Sequence, residues 1–203
     1  DGKTDIVLAD KNEIVWYRNP GWTRHVIAER LTELDHVCIA VQDINGDGKA
    51  EIAAGAGWNP GDTLKSGANF YLVAPADRTQ PWTPVPLPHE PTVHRMRWIR
   101  TPSGIFDLVV VPLHGRGNKN GQGDGVRINA LRRPQEVGGS WRTELVDATL
   151  HMTHNFQPVR WEGRDWDELL VGAKEGVFHF IKGANGWHRL QLVGNEGSET
   201  NFV

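Results

Sequence analysis

Trp141-Arg-Thr-Glu-Leu-Val146 opens a pattern that decides the fold of this chain. A histidine, His154, follows this segment closely, and the apolar segment Glu168-Leu-Leu-Val-Gly172 begins at a similar distance beyond His154. The pattern therefore has three features at short spacing. They are a segment that begins with tryptophan (tryptophan-headed), a histidine, and a segment that begins with an acidic residue (acid-headed). Short apolar segments between turn residues are typical of β-strands, and a spacing that recurs is typical of repeat architectures.

The same three features recur along the rest of the chain. Two of the three other tryptophan-headed segments are again followed by a histidine at nearly the same distance. The tryptophan heads are Trp22, Trp82 and Trp187, the residues that follow them at this distance are His36, His94 and Thr200, and the other acid heads are Asp5, Glu51 and Asp107. Chance does not align three such features, so the chain consists of repeated modules.

A further short strand lies between each acid-headed strand and the next tryptophan, predicted at 14–17, 70–73, 126–130 and 177–181. Each module then holds four strands, A from the histidine, B from the acid, C, and D from the tryptophan. The chain has 23 Gly and 12 Pro, which interrupt nearly every window that a helix needs. Four-stranded units in series predict an all-β fold, a β-propeller of four-stranded antiparallel blades.

We expect residues 1–203 to form one propeller domain or a fragment of one. A partial blade covers 1–30, blades cover about 31–89, 90–148 and 149–194, and the start of a further blade covers 195–203. Either the chain is about four blades of a larger propeller of about seven, or the last strand A closes a four-bladed ring with the first module. The shortness of that strand favours the fragment, in which remaining blades or a second copy would complete the ring.

Composition excludes several classes of function. The chain has 22 Lys+Arg against 25 Asp+Glu and a net charge of −3, which is too balanced for a polybasic nucleic-acid binder. Its longest apolar stretches, such as 105–113, are far shorter than the ~20 residues of a membrane helix, so no membrane insertion is expected. The single cysteine, Cys38, cannot form an internal disulfide and does not indicate the compartment.

The loop 43–51, Asp-Ile-Asn-Gly-Asp-Gly-Lys-Ala-Glu, predicts a calcium site. Oxygen-bearing side chains stand at its positions 1, 3, 5 and 9, and glycine stands at position 6. Ca²⁺ prefers such oxygen ligands, but the loop lacks the Glu at position 12 of an EF-hand. The expected ligands are Asp43, Asn45, Asp47, the Lys49 carbonyl and Glu51. The alternative is an ordinary Asp/Asn/Gly turn without an ion.

With this loop and these modules, the chain resembles the FG-GAP/VCBS-repeat family, the calcium-hairpin propellers of integrin heads and many secreted bacterial proteins. The segment Leu150-His-Met-Thr-His154-Asn155, with a histidine opening each strand A, is similar to the propellers of aldos-2-ulose dehydratase and related lyases of uronate-linked sugars. That resemblance implies metal-assisted β-elimination on a carbohydrate. Calcium outside the cell would fill the loop readily, which favours a secreted or periplasmic location.

Propeller topology brings the candidate site residues to one face. Strand A is innermost and antiparallel strands alternate in direction, so the starts of strand A and the B–C loops share a face opposite the calcium hairpin. His36, His94 and His154 are expected to ring the channel mouth, beneath a mobile rim formed by loop 114–125. The B–C loops add Trp58, Asn59, His114, Arg116 and Lys174.

The residues at this mouth are compatible with two reaction mechanisms, one with a metal ion and one without. The three histidines would bind zinc or another divalent metal with a position left for substrate. Without a metal, His94 or His154 would take a proton from a sugar carbon. In that scheme Arg95, Arg116 and Lys174 hold the enolate charge, and His114, Trp58 and Asn59 contact the substrate.

The competing interpretation is structural. The histidines would then serve packing, in a non-catalytic propeller that presents a rim to a protein or glycan partner. His25, His179 and His188 are expected at the surface without a special role. The tryptophan heads of the D strands are expected to pack between blades.

Overall fold

The computed structural model describes residues 2–134, 139–161 and 163–194, and within these ranges it contains strands and no helix. No described segment is therefore a helix that could cross a membrane. The predicted strand A at 200–203 lies outside the described residues. In chain order the strands are β1 (Ile6–Ala9), β2 (Glu13–Arg18), β3 (Thr23–Glu29), β4 (Cys38–Gln42), β5 (Glu51–Ala56), β6 (Ala68–Val73), β7 (Thr83–Leu87), β8 (Val93–Arg100), β9 (Phe106–Pro112), β10 (Ile128–Arg132), β11 (Arg142–Asp147), β12 (Thr153–Val159), β13 (Glu168–Ala173), β14 (Gly176–Gly183) and β15 (Gly186–Val193).

These strands form four antiparallel sheets of consecutive strands, which we call blades 1 to 4. Blade 1 is β1-β2-β3, and the other three blades are β4 to β7, β8 to β11 and β12 to β15. The first strand of each four-stranded blade lies at one edge, and these three strands, β4, β8 and β12, contact one another in turn. The prediction of an all-β, propeller-type fold with four-stranded blades is confirmed.

Three of the four acid heads, Glu51, Asp107 and Glu168, are buried and have a polar partner inside the fold, whereas Asp5 is exposed. Asp107 accepts two hydrogen bonds from Arg132, from Nε (2.7 Å) and from Nη2 (2.8 Å). Glu168 Oε2 lies 2.5 Å from His179 Nε2, and Glu51 Oε2 accepts a hydrogen bond from the Ile44 amide (3.0 Å). Burying a carboxylate is costly unless it is paired, so the recurring acid marks a recurring internal contact.

The core lies between the blades. Trp82 is buried with Ile27 of blade 1 and Ile52 of blade 2, Trp141 packs on the cluster of blades 2 and 3, and Trp187 packs on the cluster of blades 3 and 4. Each of these tryptophans therefore contacts the preceding blade. The expectation is wrong for Trp22, which is 49% exposed.

Close packing of the inner strands depends on a glycine. A Cβ atom at Gly55 in β5 would lie 2.6 Å from Cys38 Sγ in β4 and 2.8 Å from Val93 Cγ1 in β8. Gly172 occupies the same place in β13, and there the nearest atom to a Cβ would be 3.8 Å away. Gly55 therefore allows the start of β8 to approach blade 2, which is where the candidate site lies.

Candidate functional site

The starts of β8 and β12 carry matching irregularities at the two histidines. The pairing of β8 with β9 shifts between Val93 and Arg95, and the pairing of β12 with β13 shifts between Thr153 and Asn155. His94 and His154 are the extra residues at these two β-bulges. A bulge redirects the side chain of the residue it inserts, and here it places two imidazoles from different blades in contact.

His94, His154 and Trp58 form a row of rings, which we call the histidine cluster. The ring centroids of His94 and His154 lie 4.7 Å apart at an interplanar angle of 46°. The His94 ring also stacks on Trp58, with the ring centroids 4.9 Å apart and an interplanar angle of 25°. Trp58 is held by the pairing of its backbone with Asp35, whose carbonyl accepts the Trp58 amide (3.1 Å).

The imidazoles of the cluster are neutral at pH 7. Burial, with the nearby charges of Arg95, His154 and His114, lowers the pKa of His94 to about 3. Burial and Arg95 also lower the pKa of His154, and burial lowers the pKa of His114. A neutral imidazole has one lone pair and one N–H, so each ring can accept a proton or bind a metal ion.

Arg95 forms hydrogen bonds with residues on both sides of the histidine cluster. Its Nη1 donates to the His94 carbonyl (3.0 Å) and lies 3.3 Å from His94 Nδ1, while its Nε donates to Asn155 Oδ1 (3.2 Å) in β12. Because Arg95 Nη1 is a donor, His94 Nδ1 is the acceptor and the ring proton belongs on Nε2. His94 Nε2 is buried and has no hydrogen-bond partner among the described residues. Arg95 therefore sets the tautomer of His94 and places a fixed positive charge beside both imidazoles.

His36 is oriented differently from the other two predicted histidines. Its backbone amide donates to the Lys11 carbonyl (3.0 Å), and its Nε2 accepts a hydrogen bond from the Leu31 amide (3.2 Å). Its pKa is lowered by burial, and the nearest charges that act on it are those of Asp10 and Asp35. Because β4 begins only at Cys38, His36 precedes its strand instead of standing at a bulge, and its contacts are to the blade 1 side.

The B–C loop residues divide into two groups. His114 and Lys174 lie beside the cluster, because the His114 backbone pairs with Met152 and the Lys174 amide donates to the Met152 carbonyl (2.8 Å). Arg116 and Asn59 are exposed and bound elsewhere. Arg116 Nη2 donates to Glu90 Oε2 (3.2 Å), and Asn59 Oδ1 accepts the Gly61 amide (3.1 Å) within its own turn.

Loop 114–125, expected as a mobile rim, is packed against its neighbours. The buried Asn118 side chain donates to the carbonyls of Asp124 (3.2 Å) and His151 (3.1 Å). A Cβ atom at Gly115 would lie 1.9 Å from the Asp124 carbonyl oxygen, so the two ends of the loop are in backbone contact. The Lys174 side chain lies against the loop at Gly121. These contacts make the loop a wall beside the cluster.

The predicted calcium hairpin folds around its own carboxylates. Asp43 accepts the amides of Gly46 (2.7 Å) and Gly48 (2.8 Å), which lower its pKa, and it therefore stays ionised. Burial raises the pKa of Glu51, and the charge of Asp47 raises it further. The oxygens of these carboxylates are the ligands that Ca²⁺ prefers, but among the described residues no group of three or more His, Cys, Asp or Glu side chains is arranged to hold a metal ion, so calcium at this loop stays a prediction.

Transition-metal binding at the histidines stays a prediction. Neutral imidazole nitrogens are common zinc ligands, and here two imidazoles lie in contact. Among the described residues, however, no group of three or more His, Cys, Asp or Glu side chains is arranged to hold a metal ion. The structure thus brings together His94 and His154 as two candidate ligands, and the contacts of His36 are elsewhere.

Some contacts at the site had no clear signal in the sequence. Thr92, which has a positive φ of 54°, forms two hydrogen bonds through its Oγ1 with the backbone of His114. His151 Nδ1 lies 2.6 Å from Glu175 Oε1. His179, expected at the surface, is buried against Glu168 and Trp161, because the acid head of β13 needs an internal partner. Only the recurrence of the acid indicated that such a partner must exist.

Two cavities lie away from the histidine cluster. One, of about 600 Å³, lies between blades 1 and 2 and is lined by Trp16, Trp82 and Arg78 among others. The other, of about 280 Å³, lies at the opposite ends of the inner strands. We assign the candidate chemistry to the cluster because the neutral imidazoles lie there, and cavity size alone does not indicate reactivity.

Comparison with known proteins gives one match. Residues 1–54, which include β1 to β4 and the loop 43–51, match the family model described as FG-GAP-like repeat. A search among curated proteins finds no significant match. The matched segment ends in β5 and does not include the histidine cluster, so the comparison concerns the fold and is silent on the chemistry.

Proposed function

Taking this chain as an FG-GAP/VCBS-repeat β-propeller protein, we propose that the histidine cluster is the reactive centre of a carbohydrate lyase or dehydratase. The observation that carries the proposal is the contact between two neutral imidazoles, His94 and His154, supplied by the inner strands of separate blades. Packing alone would not require the same bulge at both histidines. Paired groups with perturbed pKa values are typical of functional sites.

His154 is the general base in this proposal. It is only partly buried, whereas His94 is 7% exposed and its pKa of about 3 makes it a weak base. His154 takes the proton from a sugar carbon next to a carbonyl or carboxylate, which leaves an enolate. The bond from the neighbouring carbon to its oxygen substituent then breaks, the double bond forms, and the leaving oxygen takes a proton from a general acid or water.

Arg95 stabilises the enolate. Its guanidinium lies beside both imidazoles and carries the positive charge that a developing oxyanion requires. His94 Nε2–H is buried without a hydrogen-bond partner among the described residues, so Arg95 is the donor that this proposal assigns to the enolate oxygen. Trp58 presents an aromatic wall for a sugar ring, and Lys174 adds a further positive charge at the mouth.

Metal ions have two places in the proposal. His94 and His154 would hold zinc or another divalent metal, His94 through the Nδ1 lone pair that now accepts from Arg95, and the metal would supply Lewis-acid stabilisation of the enolate. Asp43, Asn45, Asp47, the Lys49 carbonyl and Glu51 would hold calcium and stabilise the A–B hairpin of blade 2. Calcium dependence of this kind suits a secreted or periplasmic protein, which is the location we propose.

The test is an eliminase assay on uronate-containing oligosaccharides, followed by the ultraviolet absorbance of the unsaturated product. We expect His154→Ala to reduce the rate at least ~100-fold, which is the usual contribution of a general base. His89→Ala is the matched control, because His89 is exposed and remote from the cluster in its contacts. Equal rates for the His154→Ala and His89→Ala variants would overturn the catalytic assignment.

A non-catalytic binding module is the second candidate function. It is favoured by the absence of a three-ligand metal group among the described residues and by the depth at which His94 is buried. In that case glycans would bind beside Trp58 without turnover. Binding of an oligosaccharide that is lost in Trp58→Ala, with no product formed by the wild-type chain, would decide for this candidate.

A further inference from the structure

A second polar cavity lies at the ends of the inner strands opposite to the histidine cluster. It has a volume of about 280 Å³, and its polar lining comes from Gln42 at the end of β4, Arg97 in β8, Gln157 in β12, and Arg160 and Asp167 beyond β12. We call this cavity the far mouth. It shares no residue with the histidine cluster, and it is bounded by all three inner strands.

Arg97 is the unusual residue of the far mouth. It is half-buried between the buried residues Met96 and Trp98, yet in the described part of the chain it donates only one hydrogen bond, from Nη1 to the Met96 carbonyl (2.8 Å), and forms no ion pair. By contrast, Arg132 is fully engaged by the two oxygens of Asp107. The remaining N–H groups of Arg97 are therefore available to an anion in the cavity.

The remaining charges of the far mouth do not neutralise Arg97. Asp167 is buried, and both its oxygens are engaged, Oδ1 by Arg160 Nε (2.7 Å) and Oδ2 by the Arg100 amide (2.6 Å). Two arginines and one aspartate thus leave the lining with a net charge of +1. Arg160 itself donates to the described residues only through Nε, so it retains unused N–H groups.

The donors and the size of the cavity indicate the ligand. A planar guanidinium binds a carboxylate with two parallel hydrogen bonds, and the amide of Gln157 is a further donor at the same place, whereas Gln42 Nε2 already donates to the Asp43 carbonyl (3.3 Å). Trp98 and Phe106 line the cavity beside these polar groups, which suits a ligand with an apolar face. The volume lies just below the range of small-molecule sites and is sufficient for an acid of the size of one monosaccharide.

We propose that the far mouth is a binding site for the carboxylate of a small sugar acid, with Arg97 as its anchor. The carboxylate is argued from Arg97 and the site involves none of the histidines, whereas the choice of a sugar acid as its carrier rests on the proposed function. The same chemistry would serve a free uronic acid or the uronate residue of an oligosaccharide. The two sources differ in size, so titration with both distinguishes them.

The test is isothermal titration of the full chain with glucuronate, a diuronate oligosaccharide and neutral glucose, at fixed calcium concentration. We expect glucuronate to bind and glucose to bind at least ~10-fold more weakly, since only the acid pairs with Arg97. Arg97→Gln should weaken glucuronate binding by a similar factor. Arg142→Gln is the control, because Arg142 is an exposed arginine at the start of the outer strand β11.

Two further variants keep the result interpretable. Gln157→Glu places a carboxylate at an exposed position of the cavity, so it should weaken glucuronate binding without unfolding the chain. His89→Ala, which changes an exposed histidine outside both sites, should leave glucuronate binding unchanged. Absence of glucuronate binding, equal binding of glucose, or loss of binding in His154→Ala but not in Arg97→Gln would overturn the proposal. The last outcome would move the acid site to the histidine cluster and leave the proposed reaction standing.

Discussion

The imidazoles of His94 and His154 lie 4.7 Å apart between ring centroids, although the two residues are distant in the sequence and belong to different blades. Each stands at a β-bulge in the first strand of its blade, next to the same register shift. Because the blades repeat, the two bulges recur at the same height of neighbouring inner strands. The repeated β-bulge thus brings His94 and His154 into contact although they are far apart in the sequence.

The burial of His94 predicts acid sensitivity. Its pKa is about 3 in the folded chain, against an ordinary value of 6.5, so the unfolded chain binds the proton more readily. Stability is therefore complete above pH 6.5 and declines as the pH falls from 6.5 towards 3. A single such group contributes a slope of about 1.4 kcal/mol per pH unit.

The measurement is the free energy of unfolding as a function of pH for the wild-type chain and for His94→Asn. We expect the free energy of unfolding of the wild type to approach that of His94→Asn as the pH falls below 6.5. The slope of this change should correspond to about one proton. His89→Asn controls for the loss of an exposed histidine. Parallel curves for the wild type and His94→Asn would show that His94 titrates alike in both states.

Gly55 is predicted to be required for the approach of blades 2 and 3. Gly55→Ala should reduce the free energy of unfolding by about 1–3 kcal/mol, because its Cβ would overlap Cys38 Sγ and Val93 Cγ1. Gly172→Ala is the matched control at the same strand position of blade 4, where the nearest atom is 3.8 Å away. Chemical denaturation measures both, and equal losses would contradict the packing argument.

The buried acid of β9 is predicted to stabilise blade 3. Asp107 is 1% exposed and accepts both hydrogen bonds of Arg132, so Asp107→Asn replaces a charged acceptor by a neutral amide beside a guanidinium. We expect a loss of about 1–3 kcal/mol in the free energy of unfolding, with the partial exposure of Arg132 keeping it moderate. Asp165→Asn tests an exposed ion pair, with Arg100, and should change stability little. Similar losses of stability in Asp107→Asn and Asp165→Asn would contradict the prediction that the buried pair stabilises the chain more than the exposed pair.

Calcium removal is predicted to destabilise the chain through the hairpin 43–51. Addition of a calcium chelator should lower the thermal midpoint of the wild-type chain, because an ion that binds only the folded state stabilises it by mass action. Asp43→Ala should have a low midpoint that no longer responds to the chelator. Asp77→Ala, which removes a carboxylate from another turn, should respond as the wild type does. A chelator response that persists in Asp43→Ala would place the calcium elsewhere.

Much of the fold could be predicted from residue spacing. The heads Glu51 and Glu168 begin β5 and β13, and Asp107 is the second residue of β9. Their recurrence was informative because a buried carboxylate needs a polar partner, which it has in each of blades 2 to 4. Strand boundaries were less predictable, as at β4, which begins at Cys38 and leaves His36 outside the strand. That offset depends on contacts of His36 with blade 1, which no local pattern contains.

The candidate site was only partly predictable. Its residue types and its face followed from the module order, but the register shifts that place His94 against His154 depend on pairing between strands. No local pattern distinguishes Arg97 from the other arginines of β8. Its lack of an acidic partner among the described residues is visible only when three inner strands surround it.

The order of residues alone determined a repeated four-stranded module and the oxygen-rich hairpin, because strand periodicity and turn chemistry are local properties of the chain. The tertiary structure decided which imidazoles meet, which acid is paired and which guanidinium faces a cavity. Those outcomes depend on how separate blades pack, and packing is set by distances between residues that lie far apart along the chain.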